Sequence, residues 1–409
     1  MLQPLSRPIE EEAAEAAAHC REALADPRFA RLSGSLPGAP ADAEGWFRLL
    51  ASFPHDHHNF IWLTGLRAAF PREAVEAGVS PGHYAALSAL PAAASRIASA
   101  PVTDRIKRRY IAFIHQIADR AKRWESHFDV EGSRFYDLAH LASLRRFPAG
   151  DLCFQVNPRL PVFLGLRVHP LDWPGLLHAM LFAVRGLGPT MTLHFNYARD
   201  NWLVVSQDEF ERSLWRIAKV AERHPDLKAL MTMSWFHSAA VGETFPRLAW
   251  MRNVFIEGGA YTVDLEPGKA ADICYNSAKR RELYEQGKFC PRQTLVLWPR
   301  AALLSWAAGR PDLADEDETP LCAPPPPKRR IKVRPGRARL AAKHNAPITL
   351  WEGKKLYERS GMAYLLLFVL LPALALASIL TAVAGWGAGV LGFVLGICAA
   401  HTFQYYFLQ

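Results

Sequence analysis

The chain has 409 residues, half of them hydrophobic and only 21% charged, with a formal net charge of +9. That length allows two or three domains and a sizeable core, and the composition excludes collagen, mucin, small disulfide scaffolds and a disordered chain. The charge is concentrated: residues 328–360 hold eleven Lys or Arg against two acids, a net of +9, so the remainder is formally neutral and offers no basic face of the kind nucleic acid requires.

Cys20, Cys153, Cys274, Cys290, Cys322 and Cys398 are widely spaced, with no Cys-x-x-Cys pair, and read as free thiols in a reducing compartment. The amino terminus carries Glu10, Glu11 and Glu12 and no apolar stretch of signal-peptide length, so no export signal is expected there.

Residues 1–148 read as a helical lobe. Glu10–Ala25 is a strong helix former, Asp42–Phe53 and His57–Ala69 have helical spacing, and Ser80 and Pro81 offer an N-cap and an N1 proline. The longest helix is expected over Thr103–Phe128, where Ile106, Tyr110, Phe113, Ile114, Ile117 and Ala121 form one stripe. His55, Asp56, His57 and His58 read as metal ligands or, more simply, as the polar start of a surface helix after Pro54. His115 with Asp119, and Asp137 with His140, read as ordinary helix-surface pairs, because the Glu-x-x-His units of a di-iron site are absent.

Over residues 149–309 the period changes. Asp151–Val156 and Val162–Val168 read as strands, Trp173–Arg185 as a helix, and Met191–Tyr197 with Trp202–Ser206 as a hairpin across Ala198–Asn201. Ser206 with Glu209 is a capping box opening a helix through Phe210, Leu214, Ile217 and Ala221. Beyond it come a strand over Leu230–Phe236, a helix over Phe245–Phe255, a strand over Gly259–Leu265, a helix over Ser277–Gln286, and a strand over Thr294–Trp298 leading into helix Arg300–Ala308. This alternation predicts an α+β or α/β class: a mixed central sheet flanked by helices.

Residues 310–347 pass from an acidic run (Asp312, Asp315–Glu318) through Pro324–Pro327 to the basic run, the composition of an extended, disordered linker. After a juxtamembrane segment, 348–361, residues 362–384 are 23 positions without a charge, and a second apolar run, 390–409, follows Gly385–Gly389. Each is near the length that crosses a bilayer as helix, so 362–409 is expected to be a transmembrane helical hairpin. Lys354, Lys355 and Arg359 precede the first span and no Lys or Arg follows it, which keeps the bulk of the chain cytoplasmic, at a bacterial inner membrane. The basic stretch 328–360 then lies against an anionic leaflet of the lipid bilayer.

The motifs Gly-x-Ser-x-Gly, Gly-x4-Gly-Lys-Ser/Thr and His-Glu-x-x-His are absent, which removes weight from the commonest hydrolase, nucleotidase and metalloprotease readings. The polar residues that stand out lie at strand ends. His194 and Asn196 alternate along one strand and share a face; Ser234 and His237 end another, where ligands tend to enter an open sheet and where a donor and a general base would serve. The stretch Asn276, Ser277, Ala278, then Leu283, Tyr284, Glu285, Gly287 and Phe289, followed by a strand, resembles the closing helix and strand of GNAT-type acyltransferases, over residues 190–300 of the chain. The resemblance implies Tyr284 as the acid that protonates a departing thiolate and Asn276 beside the pantetheine arm of an acyl-CoA or acyl carrier thioester. The reading that follows is a membrane-anchored acyltransferase acting on an amine or a lipid-linked acceptor. Its residues are Tyr284 as acid, His194 or His237 as base, Ser234 and Asn196 as polar contacts, and Arg247 or Arg300 as anion contacts. The alternative is a non-catalytic, membrane-tethered binding or scaffolding module.

Overall fold

The computed structural model describes residues 7–27, 29, 40–51, 81–123, 133–157, 176, 178–180, 184, 188–195, 205–265, 274, 277–314 and 378. Helices and a mixed six-stranded sheet make an α+β fold. The strands are β1 (Arg146–Pro148), β2 (Leu152–Asn157), β3 (Thr190–Phe195), β4 (Ala229–Ser234), β5 (Tyr261–Asp264) and β6 (Thr294–Pro299), hydrogen-bonded in the order β1-β2-β3-β4-β6-β5. β1, β2 and β3 run antiparallel in turn, β3 and β4 are parallel, and β5 pairs antiparallel with β6. The expected strand over Val162–Val168, most of the second hairpin strand, the helix over Trp173–Arg185 apart from isolated positions, the expected linker beyond residue 314 and, Ser378 apart, the two apolar runs lie outside the described residues; residues 310–314, expected at the start of the linker, carry a 3-10 turn over Pro311–Leu313 with Leu313 buried. Among the described residues no helix is long and apolar enough to cross a membrane.

The chain divides into two compact units, residues 1–159, 188–232 and 298–326 in one, and 160–187, 233–297 and 327–409 in the other. In the first, α1 (Ile9–Leu24) packs along α3 (Pro81–Ile97) and α4 (Asp104–Arg123), and α3 also packs on α2 (Ala43–Ala51) and α5 (Ser133–Ala142). Small side chains permit this: Ala13, Ala16 and Ala17 of α1 meet a helix in which Ala85, Ala86, Ala89, Ala93 and Ala94 are fully buried. α3 begins at Pro81 and runs on through Pro91, which has no N–H to give its ladder and usually breaks a helix. Burial of its alanine seam against several helices offsets the lost bond. α4 is strongly amphipathic, with Ile106, Tyr110, Phe113, Ile114 and Ile117 all buried. Tyr110 donates its hydroxyl to the Leu141 carbonyl and lies 6.0 Å from the Phe147 ring. α5 ends where Leu144 enters the left-handed region at φ 55° and turns the chain into β1.

Between β3 and β4 runs α6 (Gln207–Glu222), capped by Ser206, whose Oγ accepts the Glu209 N–H at 3.2 Å. Its Trp215 Nε1–H donates to the Ala307 carbonyl of α10 (Arg300–Ala308) at 3.2 Å. In the second unit, a 3-10 turn over Trp235–His237, α7 (Ala239–Thr244) and α8 (Trp250–Glu257) lead to β5, and α9 (Ala278–Glu285) precedes β6. Phe289, fully buried, anchors this unit with Val241 and Cys274, and Trp235, Phe245, Leu248, Leu283 and Tyr284 pack against them.

Candidate functional site

Strand register decides which side chains meet. Arg146 pairs with Gln155, Gln155 with Thr192, Asn157 with Thr190, and Cys153 with His194. Because side chains alternate along strands, one face of β1–β3 therefore carries Arg146, Cys153, Gln155, Asn157, Thr190, Thr192 and His194. The opposite face carries Phe147, Phe154, Met191 and Leu193, which are buried in the apolar core.

The polar face is a connected network. Asp137, reaching in from α5, accepts a hydrogen bond from Arg146, an ion pair whose arginine side chain is 2% exposed. Arg146 also donates to Gln155 at 3.5 Å and to His194 Nε2 at 3.1 Å; Gln155 donates to Asn157 at 2.9 Å, and Asn157 to Thr192 at 2.6 Å. A guanidinium has only donors, so His194 Nε2 must be the acceptor and the ring proton sits on Nδ1. The general-base role expected of His194 does not fit that bond through Nε2; the bond leaves the ring as a donor. Cys153, on the same face, is no nucleophile: burial pushes its thiol up to about 12, against the pull of Arg146 and with Asp137 adding to the rise. Asp137 and His140, expected on a helix surface, are instead both buried, because α5 lies over β1.

A second polar cluster pins the β1–β2 turn to α6. Arg216 donates to the Ala149 carbonyl at 2.9 Å and to Glu209 at 2.7 Å, and Ser213 Oγ accepts the Asp151 N–H at 3.0 Å. Gly150, at φ 136°, is required there: a Cβ would fall 2.2 Å from Glu209 Oε1 and 2.5 Å from Ser213 Oγ. Arg300, expected as an anion contact, donates to the Ala221 carbonyl at 3.0 Å and the Glu222 carbonyl at 3.2 Å. It closes the C-terminal end of α6, where orphan carbonyls and the helix dipole attract a cation.

In the second unit, Ser234 Oγ accepts the Phe236 N–H at 3.3 Å and so caps the 3-10 turn that follows β4. His237 is 2% exposed and lies edge-on to Phe255 at 5.0 Å. Burial pushes its imidazole down to about 4, against a hydrogen bond to the Met251 backbone and with Arg252 adding to the fall. Its buried Nδ1 has no hydrogen-bond partner among the described residues. Tyr284, on α9, is half-buried against the Phe289 cluster, and the Arg280 guanidinium lies 5.2 Å over the Trp235 ring. Burial pushes the Cys274 thiol up to about 11. Arg247 is exposed on a 3-10 turn, Pro246–Leu248.

His194 and Arg300 therefore belong to the first unit, and Ser234, His237, Arg247 and Tyr284 to the second. Asn196, Asn276 and the cluster His55–His58 lie outside the described residues. The network residues that sequence reasoning missed are Asp137, Arg146, Gln155, Asn157 and Thr192. The alternation that singled out His194 was available for them too, since Gln155 and Asn157, like Thr192 and His194, stand two apart on strands. Comparison with known proteins finds no matching family model, no matching curated protein and no matching solved structure.

Proposed function

We propose that this chain is a membrane-tethered acyl-group transferase, cytoplasmic in its bulk, acting from a thioester donor on an amine or lipid-linked acceptor. The observation that carries the reading is the β3–α6–β4 crossover: two parallel strands joined through a helix, with His194 near the carboxyl end of β3 and held in one tautomer by Arg146. Ligands enter open α/β sheets beyond the carboxyl ends of parallel strands, and an oriented imidazole donor there can polarise a carbonyl. In the reaction proposed, the acceptor nitrogen bonds to the thioester carbonyl carbon, the carbon–sulfur bond breaks, and the proton lost from the nitrogen passes through water to the leaving thiolate. Residues 362–384 and 390–409 are the proposed spans, and residues 328–360 the segment that lies on the anionic leaflet.

The test is thiol release from a panel of acyl-CoA thioesters by the full chain in detergent, with ethanolamine and polyamines as acceptors. Release is expected, and His194→Phe is expected to lower it about 100-fold with circular dichroism unchanged, the cost of losing one donor to a developing oxyanion. No binding and no release with any thioester would overturn the reading. Two observations favour the alternative of a non-catalytic tethered module: Arg300 is engaged in holding the helix end, and His237 is buried beside Phe255. Capture of a defined partner by a chain inert toward thioesters would establish that alternative.

A further inference from the structure

Away from these residues, two histidines on neighbouring helices face each other. His19 of α1 and His115 of α4 bring their Nδ1 atoms to 2.9 Å, with ring centroids 5.1 Å apart. His19 Nε2 lies 3.1 Å from an Asp119 carboxylate oxygen. An N···N separation of 2.9 Å is a hydrogen-bond distance, and a hydrogen bond holds one proton in the gap. Among the described residues no group of three or more His, Cys, Asp or Glu is placed to hold a metal ion.

We propose that the His19–His115 contact is a single-proton latch between α1 and α4, closed while one N–H lies between the two Nδ1 atoms and opened when acid places an N–H on each side of the gap. The proton count gives the reason. A neutral pair, or one bearing a single positive charge, can place one N–H in the gap; two imidazolium rings place an N–H on each side, and the two hydrogens collide while the charges repel. The charges acting on His115 are His19 and Glu15 of α1 and Asp119 of its own helix; burial and His19 hold its proton affinity below the ordinary imidazole range, and the two carboxylates oppose them. On α3, which packs against both helices, His83 feels Arg120 and Arg96 is bonded to Glu44. Glu12 of α1 is bonded to Arg108 of α4. A histidine whose affinity is lowered by folding costs stability as pH falls below its unfolded value of about 6.5, so the latch opens on the acid side.

The test is amide hydrogen exchange of the full chain between pH 7.5 and 5, corrected for intrinsic rates, reading α1 against α6 as an internal reference. Protection over residues 9–24 is expected to fall roughly tenfold more than over residues 207–222 as the pH drops. His115→Gln keeps a donor in the gap without a titratable ring and should abolish that difference. Asp119→Asn removes a charge that favours imidazolium and should move the opening to lower pH. Equal losses in α1 and α6, or a wild-type response retained in His115→Gln, would overturn the latch, as would a shift to higher pH in Asp119→Asn.

Discussion

The polar strand face of the first unit and the aromatic cluster of the second handle buried ionisable groups in opposite ways. On the strand face, the Arg146 side chain is 2% exposed and its guanidinium is met by Asp137, Gln155 and His194, with Nε left without a hydrogen-bond partner among the described residues. In the second unit, burial favours the neutral forms of His237 and Cys274, with the imidazole pushed down to about 4 and the thiol up to about 11. The contrast follows from desolvation. A charge taken out of water must be matched by partners of good geometry; where burial outweighs them the neutral form is favoured, so an imidazole gives up its proton and a thiol keeps it.

The largest expected effect breaks the matched side. Arg146→Met leaves the Asp137 carboxylate buried without its partner and should cost about 3–5 kcal/mol in chemical denaturation followed by circular dichroism. The double variant with Asp137→Leu should recover most of that loss. A single-variant cost under about 1 kcal/mol would mean that the pair is not desolvated.

A middle-sized effect sharpens the unmatched side. The folded value of His237 lies below its unfolded value of about 6.5, so the unfolded chain takes the proton first. Its contribution is fully present above about pH 6.5 and is lost as pH falls from there toward about 4. His237→Phe should therefore flatten the dependence of the urea midpoint on pH across that window, and a wild-type slope in the variant would contradict the enclosure of the ring.

The smallest effect is at neither cluster and serves as a control. Ser206→Ala removes the oxygen that accepts the Glu209 N–H and should cost about 1 kcal/mol in the same denaturation experiment, with Ser206→Gly closer to neutral. An equal cost for Ala and Gly would argue against a capping role.

What could be read in the amino acids was whatever local pattern dictates. The capping box at Ser206, the stripe of α4 and the strands around Cys153, Met231 and Val296 lie within a few residues of where the structure has them. Phe245–Phe255, read as one helix, is a 3-10 turn followed by α8. Other differences arise where a partner distant in sequence decides. Arg146, Phe147 and Pro148, expected at the end of a helical lobe, form a strand through pairing with β2. Asp137 and His140 have surface spacing, yet β1 covers them. Arg300 looks like an anion contact, yet its donors are taken by carbonyls 78 and 79 residues earlier in the chain.

The first unit is assembled from three separate stretches of chain, the last beginning at Trp298. Its helix α6 is therefore synthesised long before α10, whose Ala307 carbonyl receives the Trp215 indole proton. During translation the α6 surface must wait for some ninety residues to leave the ribosome, with a large indole lacking its cover. A nascent chain halted near residue 290 should consequently engage holdase chaperones, and release from them should coincide with emergence of the segment around Trp298 and Leu303.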